Sequence, residues 1–398
     1  MKVLFVAASL SPEWGGPPKV VLGLAEALAK KGVGISIFSP IEKHNQALNT
    51  IYIPGVNIRF FPRGILSKFW TSYSLPLAKA LMQEVSNFDL IHIHEIWHYP
   101  HFSAYKACKF WRKPYIITIH GALEPWCLDY KKLKKKFYWH VIQRKILQEA
   151  SGLHAITKEE VKNIKRLVNN HKIFLIPNGI NIEEFKNLPE KEYIEYLYPE
   201  FKDKKIILFM GRIHPIKGLD LLAKSFGLVL KKRRDVHLVI VGPDSDGYKN
   251  KIVKELENNN ALAHTTFTGY LEGKAKLAIL NRSDIFVLPS YSEGFPMSVL
   301  EAMASRLPVI ITPGCNFPEV EKNKAGFVIE PQVETITNAI INLANNKELR
   351  KEMGKNGQNL IKNNYDWAQI VNKLIVVYDD ILNKKFTSPC WENEYDFC

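Results

Sequence analysis

The segment most able to do chemistry is Ser290-Tyr291-Ser292-Glu293-Gly294-Phe295-Pro296, which follows a short apolar run. Pro296 suits the first turn of a helix that carries Val299, Leu300, Glu301 and Met303. The free N–H groups of Met297, Ser298 and Val299 would then offer a phosphate several backbone hydrogen bonds and the helix dipole. Glu293 stands before that helix and Glu301 about one turn inside it. Carboxylates repel phosphate, so their part would be to accept hydrogen bonds from neutral hydroxyls, which a sugar and a ribose both supply. On spacing alone the pair fits two unrelated surface acids equally well. An earlier segment, Gly211-Arg212-Ile213-His214-Pro215-Ile216-Lys217-Gly218, puts two fixed cations between a strand and a helix. That is an anion site, or two solvated loop cations if nothing else comes near.

Other signals carry less. His94-Glu95-Ile96-Trp97-His98 has the HExxH spacing of a zinc protease, which needs both histidines on one helical face. Here His92 and His94 alternate with Ile91 and Ile93 at a strand end and Pro100 opens the next helix, so the motif spans a loop, a wall for an acceptor rather than a metal site. Asp244-Ser245-Asp246 has the DxD form that binds a divalent ion, but in a Gly/Pro-bounded loop it reads as solvated turn. No metal is expected. Lys131, Lys132, Lys134, Lys135 and Lys136 form a run without acids. Trp139, Ile142, Ile146 and Ala150 would pack inward behind it, leaving a basic face with Trp126, Tyr130 and Phe137 for an anionic membrane surface. Nucleic acid is not expected, because no reading element accompanies the charge.

These loops need a scaffold. Short Val/Ile-rich runs alternate with helical periods, the pattern of repeated βαβ units. Strands are expected at 3–8, 34–38, 90–94, 115–119, 153–156 and 173–176, then at 205–210, 237–241, 265–268, 285–288, 309–311 and 327–329. Between them, Val20, Val21, Leu24 and Leu28 make one helical face and Leu219, Leu222, Ala223, Phe226, Val229 and Leu230 another. The turn Pro177-Asn178-Gly179 and the charged stretch after it separate two complete sets. The expected class is therefore α/β, two doubly wound Rossmann-like domains facing a central cleft, with ligands beyond the carboxyl ends of the strands.

Composition narrows the surroundings. The 398 residues, 46% hydrophobic, suit two domains, and no apolar run nears the ~18 residues of a membrane span. The run 3–8 is too short for a secretory signal, and five scattered cysteines (Cys108, Cys127, Cys315, Cys390, Cys398) suggest neither disulfide framework nor zinc knuckle. A cytoplasmic protein is expected, peripheral at the inner face of the cell membrane if the basic run binds there. The charge is one-sided: 26 Lys and Arg against 14 Asp and Glu up to residue 190, and 28 against 26 beyond it. Such a field gathers an anionic partner.

Glu293 and Glu301, within Glu293-Gly294-Phe295-Pro296 and Leu300-Glu301-Ala302, resemble the signature of the retaining glycosyltransferases of family 4, the group 1 glycosyltransferases of GT-B fold. Gly15-Gly16, His120-Gly121, Asn178-Gly179-Ile180-Asn181, Gly211-Arg212 with Lys217-Gly218, and Val241-Gly242-Pro243 resemble the same family in order and spacing. The resemblance spans roughly Met1 to Leu382. It implies a nucleotide-sugar donor as substrate, with no separate cofactor. Arg212 and Lys217 would take the diphosphate, Glu301 the ribose and Glu293 the donor-sugar hydroxyls, with Gly294 and Phe295 lining the same turn. His120 would approach the donor sugar, Gly15 and Gly16 would admit phosphate or acceptor, and the base would lie near Gly242, Gly269 and Tyr270. Pro296 departs from the family, where Gly is common.

The domains would be 1–178 for the acceptor, 179–364 for the nucleotide sugar, and a helix at 365–385 crossing back. The expected activity is retaining, metal-independent transfer of a hexose to a glycan or lipid-linked acceptor, in cell-surface polysaccharide or lipopolysaccharide synthesis. A departing nucleoside diphosphate develops the charge that Arg212, Lys217 and a helix tip stabilise. A nucleotide-sugar epimerase, a glycan phosphorylase or a non-catalytic carbohydrate- or nucleotide-binding module are the alternatives.

Overall fold

The computed structural model describes residues 1–41, 51–129, 132–244 and 247–385, with the backbone alone at Lys132 and Leu133. The chain divides into two compact units, Met1–Gly179 with the chain from Trp367 onward, and Ile180–Asp366.

In the first unit the strands are β1 (Lys2–Val6), β2 (Gly34–Ile41), β3 (Val56–Pro62), β4 (Leu90–His94), β5 (Tyr115–Thr118), β6 (Gly152–Ala155) and β7 (Ile173–Leu175). They form one parallel sheet in the order β3-β2-β1-β4-β5-β6-β7. In the second, β8 (Lys205–Met210), β9 (Val236–Val241), β10 (Thr265–Gly269), β11 (Ile285–Leu288), β12 (Val309–Ile311) and β13 (Gly326–Val328) run parallel in the order β10-β9-β8-β11-β12-β13. All twelve expected strands are present, within three residues at their ends. β3 was not expected. Val-Asn-Ile-Arg-Phe-Phe-Pro is an edge strand, mostly half-exposed, so it lacks the continuous apolar run that marks strands buried on both faces.

Each order reverses direction once, between β1 and β4 and between β8 and β11. Loops leaving the carboxyl ends of two such neighbours diverge to opposite faces of the sheet and leave a crevice between them. Helices bury their apolar stripes on both faces. Val20, Val21, Leu24 and Leu28 of the helix Gly16–Lys30 are buried, as are all six apolar residues expected on the helix Leu219–Lys232. The last helix, Trp367–Leu382, belongs to the first unit, where Ile370, Leu374 and Val377 are buried and it packs on Gly16–Lys30.

Candidate active site

In the second unit, the loops after β8 and β11 meet at the reversal point. Gly218 makes that possible: its φ is +65°, and a Cβ there would lie 2.0 Å from the carbonyl oxygen of Pro289. The Tyr291 N–H donates to the carbonyl of Ile216 at 2.8 Å. So held, Lys217 Nζ lies 2.6 Å from Glu293 Oε1, with side-chain exposures of 16% and 10%. The Ser290 hydroxyl donates to the same oxygen at 2.6 Å. The backbone of Glu293 is pinned as well, its N–H to the Gly314 carbonyl at 2.7 Å and its carbonyl by Asn316 Nδ2 at 2.7 Å. Arg212 is half-buried and makes no ion pair among the described residues.

Glu301 is buried on the helix Met297–Ala304 and faces Lys276 Nζ at 3.4 Å. The helix tip is less open than expected. Pro296 occupies the position before the helix rather than its first turn, the Met297 N–H donates to the Phe295 carbonyl at 3.1 Å, and the Val299 N–H donates to the Pro296 carbonyl at 2.9 Å. Of the three N–H groups only that of Ser298 has no partner among the described residues, because the turn closes on itself ahead of the helix. Gly294 is half-buried, and Phe295 packs against Phe317 and Tyr365 instead of standing free.

A second close approach lies beside it. Gly242, at φ +142°, would place a Cβ 1.9 Å from the Gly211 carbonyl oxygen, and its N–H donates to Gly269 at 2.8 Å. Gly269 has φ +73° with open space around it, and Tyr270 is half-exposed. Of the DxD-like triplet, Ser245 and Asp246 lie outside the described residues.

In the first unit, Gly15 has φ +85° and caps the helix that Gly16 begins. His120 and Gly121, after β5, both take left-handed backbone, at φ +55° and +75°. His94 Nδ1 lies 3.3 Å from His120 Nε2. Burial, then the charge of His154, brings His120 down to about 3, so the ring is neutral at physiological pH. The buried Glu160 accepts from the Gly121 N–H at 2.6 Å and the Ile156 N–H at 2.8 Å. Burial lifts its carboxyl to about 7 against the pull of those two N–H groups. The HExxH residues sit at the end of β4 and in the loop before the helix Tyr99–Trp111, not on one helical face.

Two family profiles divide the chain between them: Glycosyltransferase Family 4 over residues 14–184 and Glycosyl transferases group 1 over residues 195–360. This chain is a group 1 glycosyltransferase. An uncharacterized glycosyltransferase of Methanocaldococcus jannaschii is 28% identical over 285 residues, 69% of this chain and 70% of its own. The phosphatidyl-myo-inositol mannosyltransferase of Mycobacterium tuberculosis is 24% identical over 392 residues, 92% and 93% of the two chains. Anabaena HepE in complex with UDP and glucose matches in fold with a TM-score of 0.79 at 18% identity, over 96% of this chain and 100% of that one. The fold is GT-B.

Several residues that build the glycosyltransferase's loops are not evident in its sequence. Ser290, Asn316 and Lys276 come from scattered positions and carry no motif. Glu160 does carry one: Thr157-x-x-Glu160 has the capping-box spacing, and Thr157 accepts from the Glu160 N–H at 3.1 Å. Of the basic run, Lys134 and Lys136 are exposed and Lys135 half-buried, while Tyr130 and Lys131 lie outside the described residues, as does the Lys132 side chain. Ile146 and Ala150 pack inward, with Trp139 and Ile142 partly buried against the same core. No helix among the described residues is long and apolar enough to cross a membrane.

Proposed function

We propose that this glycosyltransferase moves a hexose, with retention and without a metal ion, from a nucleoside-diphosphate sugar to a lipid-linked or glycan acceptor bound by the first unit. The observation that carries this is the Lys217–Glu293 pair at the reversal point of the second sheet, with Arg212 in the same loop. Lys217 and Arg212 neutralise the diphosphate as it leaves, and Glu293, its charge shared with Lys217 and Ser290, accepts hydrogen bonds from sugar hydroxyls. Glu301 takes the ribose. His120, neutral, offers the donor sugar a hydrogen bond rather than a charge. The lipid-linked acceptor is supported by the relative named for phosphatidyl-myo-inositol.

A cytoplasmic location at the membrane's inner face follows from the same reading. Phe137, next to Lys136 in the chain, and Trp126 are exposed, and Lys134 Nζ reaches the Phe69 carbonyl at 2.7 Å. Phe69 and Ile65 are themselves 72% and 89% exposed. Apolar tips among lysines suit an anionic bilayer surface, at about 1 kcal/mol per lysine.

Thermal shifts with UDP, GDP and ADP and their sugars identify the donor, since binding to the folded state raises stability. Acceptor-dependent release of nucleotide with the anomeric configuration kept supports the proposal. Phosphate-dependent cleavage of a glycan, or turnover unchanged in Arg212→Ala and Glu293→Gln, sinks it. Co-sedimentation with phosphatidylglycerol vesicles but not with pure phosphatidylcholine tests the membrane surface.

A further inference from the structure

Five polar side chains are buried together in the first unit. Tyr378 of the last helix, His92 and His94 of β4, Thr118 of β5 and His154 of β6 are each exposed by 4% or less. Four of them form a hydrogen-bonded line. Tyr378 Oη lies 2.7 Å from His92 Nδ1, and His92 Nε2 lies 2.6 Å from Thr118 Oγ1. Thr118 Oγ1 lies 2.8 Å from His154 Nδ1, and His154 Nε2 lies 2.7 Å from the Ile176 carbonyl oxygen. Burial, the first cause in each, lowers all three histidines, His154 to about 4, so the rings are neutral at physiological pH.

Valence places every hydrogen in that line. A carbonyl only accepts, so His154 Nε2 carries the hydrogen and His154 Nδ1 accepts from Thr118. The one hydroxyl hydrogen of Thr118 is then committed, so its oxygen accepts from His92 Nε2, and His92 Nδ1 accepts from Tyr378. Both nitrogens of His92 are thus engaged. It meets His94 only as a stacked ring, with centroids 4.1 Å and planes 26° apart. Phe5 closes another side of His94, edge to face at 4.6 Å. What is left to the His94 ring is the 3.3 Å contact of its Nδ1 with His120 Nε2, because His94 Nε2 is buried without a hydrogen-bond partner among the described residues.

That orphaned nitrogen decides which of the two rings donates. If His120 Nε2 gave the hydrogen, His94 would carry its own on Nε2, a buried N–H with no acceptor, which forfeits its hydrogen bond to water. With the hydrogen on His94 Nδ1 only a lone pair goes unmet, the milder of the two losses. We propose that His94 is a positioning residue: it donates from Nδ1 to His120 Nε2 and so fixes the hydrogen of His120 on Nδ1, which gives it to a hydroxyl of the donor sugar. The inference rests on the reading that His120 meets that sugar. His120 is half-buried where His94 is enclosed, so its ring is the end of the stack that a substrate can reach. With the opposite tautomer His120 Nδ1 would present a lone pair and could only accept from the hydroxyl.

The test is the long-range proton–nitrogen correlation spectrum of the full chain labelled at its histidine nitrogens, in which the pattern lost in His120→Ala identifies His120. Expected is a hydrogen on Nδ1 of His120. In His94→Phe, which keeps a stacked ring but has no donor, that pattern should give way to a hydrogen on Nε2 or to an average of the two. His94→Asn, whose amide NH2 stands about where Nδ1 stood, should restore it. A hydrogen on Nε2 of His120 in the unaltered chain overturns the inference. Turnover gives a second readout, with unfolding temperatures monitored alongside. His94→Phe should lower kcat several-fold and His94→Asn by less, and His94→Phe should add nothing in the His120→Ala chain. Packing alone would invert the first two, since Phe keeps the ring that Asn loses, and an additive loss in the double variant would place the effect of His94 elsewhere; either result overturns the inference. Binding of UDP, GDP or ADP, whichever the thermal shifts identify, should be the same in every variant. If His120→Ala leaves kcat intact, the reading of His120 as a sugar contact fails, and the spectrum still decides whether His94 sets its hydrogen.

Discussion

Lys217 and Glu293 come from loops on neighbouring strands and meet with Nζ and Oε1 2.6 Å apart, both largely out of water. Removing one partner leaves the other buried and uncompensated, at about 3 kcal/mol. Lys217→Met and Glu293→Gln should therefore each destabilise the chain in urea unfolding, while the double variant loses less than their sum. Additive losses would mean that the pair is not coupled. For turnover, Lys217→Met should lower kcat by about a hundredfold, the usual loss when one group that stabilises developing charge is removed.

Gly218→Ala tests the contact that brings those loops together. Its Cβ would lie 2.0 Å from the Pro289 carbonyl oxygen, so the loops must part. Gly32→Ala is the control, because Gly32 has φ +83° but nothing within 4 Å. Gly32→Ala should cost only the backbone strain, about 1–2 kcal/mol. Gly218→Ala should cost more and also weaken binding of whichever nucleoside diphosphate the thermal shifts identify. Equal losses in the two, with nucleotide affinity intact, would show that the close approach is dispensable.

How far the sequence revealed this arrangement depends on whether each feature is local. Most of the twelve visible strands are buried and declare themselves as apolar runs; β10 is a half-exposed edge strand that was expected all the same, and the half-exposed β3 was not. Arg212, Lys217 and Glu293 are visible as charged residues in the loops after strands, and Glu301 as an acid inside the helix that follows. That Lys217 and Glu293 pair with each other follows from β8 and β11 being neighbours, a property of strand order that spacing along the chain does not encode. The helix tip after Pro296 misled for a local reason: a turn residue can supply carbonyls that satisfy the N–H groups ahead of it.

Glu160 supports the His120-Gly121 turn with two oxygens accepting two N–H groups. Glu160→Gln keeps one acceptor and sets an amide NH2 against the other N–H, a loss of about 1–3 kcal/mol. Expected are a several-fold fall in kcat and an unchanged affinity for the donor nucleotide, whose proposed contacts are Arg212 and Lys217. His120→Ala should reproduce the kcat effect. A fall in nucleotide affinity with kcat preserved would argue against a role through His120.

Stability should peak near pH 6.5. His92, His94, His98, His101, His120, His154 and His237 are all lowered, with burial the first cause in each. A histidine lowered in the folded state contributes stability that is complete above its unfolded value and is lost as pH falls toward the folded one. His154, at about 4, alone would forfeit on the order of 3 kcal/mol across that range. Glu95, Glu124 and Glu160 act in the opposite sense. Burial raises them to about 8, 7 and 7, so their contribution is present at low pH and lost as pH rises through those values. Below pH 6.5 the histidines outnumber the acids and stability falls with acidification. Above it the unfolded histidines are already neutral, so ionisation of the three carboxyls sets the slope and stability falls again. Urea midpoints between pH 4 and 9 measure both limbs, and Glu160→Gln should flatten the alkaline one. A midpoint still rising from pH 6.5 to 8 would contradict the three raised carboxyls.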